Sequence, residues 1–336
     1  MQLISDVTLA TATDEPEIRE FIRCHWRADH IFVLDDSFFL FEMCPYGTPN
    51  FALLRAEGIL VGILGFTQSS SLIRESDLFL VLFRALKTEG VLNPGKLLMD
   101  FVRGLTARNI HTIGANEKVI PYYRFLGFTV GLMDNLVWLN PEFREYFADK
   151  EIAIPSRKVP REFSVSDPSL FTVKSLNFGL HDIKRHFYQP KTLAKDPDFF
   201  WRRYSCHPYY EYEFVLSTKF LCIGVFRRQR LGNFTGIRVI DWVGDYSLLA
   251  DFVRFLIDTA SDQGIAYVDL YSTGFDTSNL VKAGLSKATI HFYAPNYHEP
   301  LVWKMVDLPF ATSSGEVPVF FRGDCDQDRP SKVTIS

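Results

Sequence analysis

The sequence predicts an α+β chain of two modules in tandem, each a mixed, mostly antiparallel sheet flanked by helices. Three observations carry that expectation. Extended apolar runs alternate with amphipathic stretches of helical spacing along the whole length. Between 140 and 162 the pattern breaks, with Pro141, Pro155 and Pro160 set among mixed charge. Beyond that break the order of runs recurs, and the glycines ending two matching short helices, Gly127 and Gly284, lie 157 residues apart. The expected division is a first module over 1–145, a linker over 146–162 and a second module over 163–336.

Residues 7–12 alternate enough for a strand. Asp14 then offers a helix N-cap, with Glu15 and Glu17 in the first turn and Pro16 where a missing N–H costs nothing. Ile18, Phe21 and Ile22 form that helix's apolar face, and 35–43 reads as a shorter helix stopped by Pro45 and Gly47. Strands over 50–56 and 59–67 flank Glu57-Gly58, a tight hairpin signal. The run 78–87 reads as a central strand and 88–93 as a loop. Pro94 opens a helix to about 103 with Leu97, Leu98, Phe101 and Val102 inward. A strand over 110–114 follows, then a helix capped by Asn116 and ended by Gly127, in which Val119, Ile120, Tyr123 and Leu126 share a face. A closing strand over 129–140 completes the set.

The second half reads as a strand near 170–176, helical stretches over 180–187 and 197–204, and strands over 212–217, 219–228 and 237–243. A helix over 247–263 carries Leu248, Leu249, Phe252, Leu256 and Ile257 on one side. A strand over 265–271, a short helix over 278–283 and strands over 289–294 and 301–308 close it.

Composition bounds the function. The 336 residues are 47% apolar, enough for two packed cores, and 15% aromatic, a content best read as core Phe. A net charge of −4 with both signs interspersed leaves no basic face for a nucleic acid backbone. The N-terminus lacks a signal-peptide pattern, and no apolar run is long enough to span a bilayer. Five scattered cysteines without a C-x-x-C pair suit reduced thiols, neither disulfides nor zinc. A cytoplasmic protein is expected; the sequence leaves the oligomeric state open, and a monomer fits.

The stretch from Asn116 to Phe128, NEKVIPYYRFLGF, has Asn, then Tyr seven residues on, then Gly-Phe. It resembles the N-x-x-A-x-x-h-Y-x-x-x-G-F signature of GNAT-superfamily acyltransferases, with Val119 in place of the usual Ala. The order of elements over the first 140 or so residues is similar to that family's as well. The resemblance implies two tandem GNAT-like modules and acyl-CoA as a co-substrate, with no permanently bound cofactor and no metal. It also implies that Asn116 contacts the pantetheine arm and that Tyr123 protonates the leaving thiolate. Backbone N–H groups near Leu82 and Phe83, on a fourth strand splayed from the fifth, would hold the thioester oxyanion. The family's Q/R-x-x-G-x-G/A phosphate loop falls on GVLNPGKLL. Gly95 fits the second glycine, Asn93 replaces the first and Gly90 the basic or Gln position, Pro94 removes a donor, and Lys96 adds a point charge.

By the same alignment the second module has Leu280 for the Tyr, Thr273 for the Asn and Gly244-Asp245-Tyr246 for the phosphate loop. It has lost the groups a thioester needs, so the expectation is that it shapes the acceptor pocket or serves only as a packing partner. The ending FRGDCDQDRP alternates Asp324, Asp326 and Asp328, followed by Arg329. On an extended strand the three carboxylates would share one side and could hydrogen-bond sugar hydroxyls or an ammonium; a solvated acidic tail is the alternative. This ending and the tandem modules resemble two-module acyltransferases associated with bacterial surface-polysaccharide biosynthesis. That implies N-acylation of a nucleotide-linked amino sugar. His25, Glu75, Asp77 and His111 are the candidate bases, and His25 also a candidate acceptor contact, although the reaction does not require a dedicated base. A Fem-like aminoacyl-tRNA transferase and a non-catalytic scaffold are the alternative functions.

Overall fold

The computed structural model describes residues 5–148, 152, 154, 170–174, 179–187, 193–217, 219–295 and 303–330. Most of the 146–162 linker, the end of the strand expected over 170–176 and the start of that expected over 301–308 lie outside them. Among the described residues no helix is long and apolar enough to cross a membrane.

The first half contributes β1 (Ser5–Leu9), α1 (Glu15–His25), α2 (Ile31–Leu34), α3 (Asp36–Met43), β2 (Phe51–Ala56), β3 (Ile59–Gln68) and β4 (Asp77–Ala85). Then come α4 (Pro94–Arg103), β5 (Asn109–Ile113), α5 (Ile120–Phe125), β6 (Thr129–Leu132), β7 (Asp134–Leu139) and α6 (Arg144–Ala148). The hairpin between β2 and β3 forms where expected: Glu57 and Gly58 take φ 50° and 82°, the left-handed pair a two-residue turn needs. Leu98, Met99 and Val102 of α4 and Tyr123 of α5 cover one face of the sheet. Phe38, Phe39 and Met43 of α3, with Ile18 and Ile22 of α1, cover the other.

The second half supplies β8 (Phe171–Lys174), α7 (Leu180–His186), α8 (Pro197–Ser205), β9 (Glu213–Ser217), β10 (Ile223–Leu231), β11 (Phe234–Val243) and α9 (Leu249–Asp262). After these follow β12 (Tyr267–Thr273), α10 (Ser278–Ala283), β13 (Ser286–Lys287), β14 (Pro309–Thr312) and β15 (Phe320–Phe321). The strand expected over 289–294 is a turn closed by the Thr289–Phe292 bridge.

The strands do not sort by half. The first sheet runs β1-β2-β3-β4-β5-β14-β6 and the second β13-β7-β12-β11-β10-β9-β8. The expected single strand over 129–140 is therefore two. β6 stays in the first sheet, the chain turns at Met133, and β7 pairs antiparallel with β12 from Asp134↔Ser272 to Leu139↔Tyr267. In return β14 enters between β5 and β6, with Phe310 opposite Ile113 on one side and Gly131 on the other. Each half lends the strand that fills the gap in its neighbour's sheet.

Two further features recur in both sheets. A one-residue bulge places Val81 on β4 and Ile240 on β11 outside the register of the neighbouring strand. The parallel ladder beside each bulge is short, ending at Phe79↔His111 between β4 and β5 and at Val239↔Leu270 between β11 and β12. In the second sheet the chain's own end closes the resulting gap. β15 pairs with β12 at Ser272 and Thr273, and Gly323 packs so tightly there that a Cβ on it would lie 2.9 Å from Ile240.

Because of the exchange, a fragment over 1–145 lacks β14 and one over 163–336 lacks β7. Each fragment expressed alone is expected to show no cooperative thermal transition by circular dichroism, and co-expression to restore one. A sharp transition in either fragment alone would contradict the exchange.

Candidate active site

In the first sheet the corresponding gap is open. Thr112 Oγ1 donates to the Leu80 carbonyl at 3.2 Å, linking the two strands one step past the ladder, and beyond it β4 and β5 diverge. A cavity of about 390 Å³ occupies the divergence. Leu80, Val81, Leu82 and Phe83 form one wall, Thr112 to Asn116 the opposite one, and Tyr123 comes from α5. The bulge at Val81 bends β4 away from β5, so this stretch of strand edge faces the cavity.

Tyr123 is 3% exposed and its ring packs edge-on to Phe128 at 5.4 Å. Burial pushes its phenol well above the ordinary range, opposed in part by a hydrogen bond with Thr112. The side chain therefore holds its proton at any working pH. Asn116 lines the same cavity, and its Oδ1 accepts from the Lys118 N–H at 3.0 Å, which fixes the turn leading into α5.

Phe83 is shared with a second, more open hollow of about 640 Å³ at the start of α4, lined also by Asn93, Gly95, Lys96, Tyr122 and Phe125. Asn93 takes a left-handed conformation (φ 50°) without a side-chain cap, leaving the first turn of α4 uncapped by its own chain. A Cβ on Gly95 would lie 3.2 Å from the Phe83 ring, so the glycine lets strand and helix approach. Lys96 is paired with Asp100 one turn on. Gly90 sits in the preceding turn at φ 79° and is not among the residues lining the hollow.

The chain's end supplies the remaining wall. Asp326, Gln327 and Arg329 line the cavity beside Trp26, Arg27 and His30. Arg329 grips Asp326 Oδ2 through Nε at 3.2 Å and Nη2 at 3.0 Å, and its guanidinium lies 4.9 Å over the Phe32 ring. His30 caps α2, its Nδ1 accepting from the Phe32 N–H at 3.2 Å, and its Nε2 lies 3.5 Å from Arg329 Nη1.

The three aspartates do not share a face, because 322–329 is a 3₁₀ turn and bends rather than a strand. Nor are they solvated: all three are buried, each with its own cation. Asp324 meets Lys195 at 2.5 Å, which also meets Asp241 at 2.6 Å. Asp328 is held in a fork by Arg227 and accepts from the Tyr212 hydroxyl at 2.8 Å. Only Asp326 reaches the cavity.

His25 lies outside it, exposed at the end of α1 with its ring 4.8 Å from Phe21. Asp77 and His111 are fully buried structural groups: Asp77 accepts from the Ala194 N–H at 2.6 Å, and His111 Nδ1 is 2.8 Å from the Thr312 hydroxyl on β14. Glu75 is exposed and nearest Arg74. Four cavity residues, Arg27, His30, Thr112 and Gln327, carry no sequence signal of their own. They are brought in by the turn after α1, by the parting of β4 from β5 and by the return of the tail.

No family model matches the sequence, and no curated protein matches it either. Solved structures do resemble it in shape. A GCN5-related N-acetyltransferase from Anabaena variabilis superposes with a TM-score of 0.55 at 12% identity, over 92% of this chain and 72% of that one. Another from Kribbella flavida gives 0.51 at 12%, over 93% and 71%. These likenesses establish the fold: two GNAT-like modules in tandem.

Burial pushes the Asp328 carboxyl up and Arg227 pulls it down further, to about 2 from an ordinary 3.8. With the folded value below the unfolded one, its stabilising share is complete above pH 3.8 and lost as pH falls through 2. Asp328→Asn leaves Arg227 buried without its counter-charge and should cost about 3–5 kcal/mol in denaturant unfolding. A loss within ~0.5 kcal/mol, the range of an ordinary surface substitution, would show that this pair does not anchor the tail.

Proposed function

We propose that this tandem of GNAT-like modules is an N-acyltransferase that moves an acyl group from acyl-CoA to an amine by direct attack on the thioester. The observation that carries the proposal is the cavity where β4 and β5 part, with the β4 edge and the Tyr123 side chain on its walls and the start of α4 beyond Phe83. A pantetheine arm laid along β4 would run from the thioester beside Val81 to phosphates at the uncapped first turn of α4. Lys96, already engaged by Asp100, would add little.

In the step itself the amine nitrogen attacks the thioester carbonyl carbon. The C–N bond forms, the carbonyl electrons move onto oxygen, and backbone N–H groups of the β4 edge near Leu82 and Phe83 stabilise that charge; one such donor is worth about 3–4 kcal/mol. As the carbonyl re-forms, the C–S bond breaks and the thiolate takes the Tyr123 proton. Phenol and thiol differ by only ~1.5 pKa units in water, and a shared dry cavity raises both, so the transfer stays feasible. The proton lost by the amine goes to solvent, and Tyr123 regains its own from solvent before the next turnover. An amine near pKa ~8 is about one-tenth neutral at pH 7, so the reaction can run without a dedicated base.

The acceptor we propose is a nucleotide-linked amino sugar. What supports it is narrower than the sequence suggested: Asp326 is the one tail carboxylate at the cavity, and Arg27 and Arg329, which carry Asp29 and Asp326 as partners, bring guanidinium groups to the same wall. Asp324 and Asp328 serve the fold instead, through Lys195 and Arg227.

Calorimetric titration of acetyl-CoA should show binding; its absence would favour a scaffold or a tRNA-borne donor. With free-thiol detection over a panel of amino-sugar nucleotides, Tyr123→Phe should lower kcat by roughly 10²-fold or more with little change in KM for the donor. An unchanged kcat would remove Tyr123 from the chemistry. Since burial holds the Tyr123 proton on above the ordinary phenol range, kcat should show no alkaline fall up to pH ~10 attributable to this group. A fall near pH 8–9 that disappears in Tyr123→Phe would contradict that placement.

A further inference from the structure

We propose that Gln327 is the end wall of the acyl channel and fixes the longest acyl group the site admits, limiting it to short chains. The inference rests on the acyltransferase reading above and adds a specificity-determining residue to it. Strands that part beyond Leu80 and Thr112 would leave a slot running on through the sheet, and the chain's end stops it. Cys325, fully buried, sets its Sγ 3.8 Å from the Leu80 carbonyl behind the point of divergence. Gln327 then crosses to the other strand, Nε2 donating to the Ile113 carbonyl at 3.0 Å and to Asp326 Oδ1 at 2.7 Å.

Both amide hydrogens are thus committed, and Asp326 is itself held by Arg329. Gly114 makes the position possible. It takes φ 76°, and a Cβ on it would lie 2.4 Å from the Gln327 amide, too close for any other residue without displacing that side chain. Behind the wall, Phe79, Ile113, Met133, Phe310, Phe320 and Cys325 pack as one buried cluster. Gln327, itself half-buried, is held in place by its two hydrogen bonds and by the close approach of Gly114, so a longer chain would have to break those bonds to move it. An acetyl group stops short of the amide, whereas a hexanoyl chain would have to displace it.

Calorimetry with acetyl-CoA and hexanoyl-CoA tests this without an acceptor. The wild-type protein should bind acetyl-CoA more tightly by about tenfold or more, and Gln327→Gly should narrow that ratio by about tenfold. Gln327→Met, of similar length but without the two anchoring hydrogen bonds, should give a ratio between those of the wild type and the glycine variant. Should glycine unfold the tail, Gln327→Ala carries the same comparison. A ratio unchanged in the shortened variants, or a wild-type preference for hexanoyl-CoA, would overturn the inference while leaving the acyltransferase reading intact. Failure of the wild-type protein to bind either thioester would instead bring down that reading, and this inference with it.

Discussion

The reciprocal lending of β7 and β14 is the constraint on which the rest of the molecule depends. Without β14, β5 and β6 would face each other across a missing strand, with a row of backbone donors and acceptors on each left unpaired, the one on β5 buried. The second sheet has the same need for β7 between β12 and β13. Each half therefore completes the other's hydrogen bonding, and the two sheets are fixed relative to one another by covalent chain rather than by a docking surface alone. That fixed relation also determines where the last residues run. Leaving β14 in the first sheet, the chain passes to β15 in the second and returns to the first by Gln327.

The return crosses a region dense in charge. Lys195, Arg203, Arg227 and Arg329 are buried opposite Asp241, Asp324, Asp326, Asp328 and Glu42, and Arg203 also donates to the Gly323 carbonyl at 2.7 Å. Such pairs add little net stability against apolar replacements, but an unmatched member is costly, so they specify one path for the tail over others. Positional accuracy follows: the wall made by Asp326 and Gln327 is held from both modules. An acidic run that looked like a solvated end or a sugar-binding face is mainly the means of holding that wall.

Much of the local structure was legible. The hairpin at Glu57-Gly58, the helix opening at Pro94 and the Asn116-to-Gly127 turn-helix-turn all form where periodicity, capping and turn chemistry place them. Tyr123, Asn116, Leu82 and Phe83, singled out from the sequence, line one cavity. What stayed hidden was partnership. The apolar pattern of 134–139 is the same whichever sheet receives it, so nothing in it distinguishes β7 closing its own module from β7 closing the other. The tail misled for a related reason. Alternating Asp residues imply a common face only on extended backbone, and here the backbone bends, with Lys195 and Arg227 from two distant segments and Arg329 from the tail itself each taking one carboxylate. His30 was missed because its place is set by the turn after α1, while His25, beside a conspicuous Trp, is exposed.

The filled gap in the second sheet also bears on how such a molecule can change over evolutionary time. A duplicated unit relieved of ligand binding is ordinarily free to shrink or disappear. Here the second half lends the first sheet β14 and lines its cavity with Asp326, Gln327 and Arg329, so its deletion would open that sheet whatever the second half itself binds. Obligation at the level of architecture would hold such a unit in place even where its chemistry was redundant.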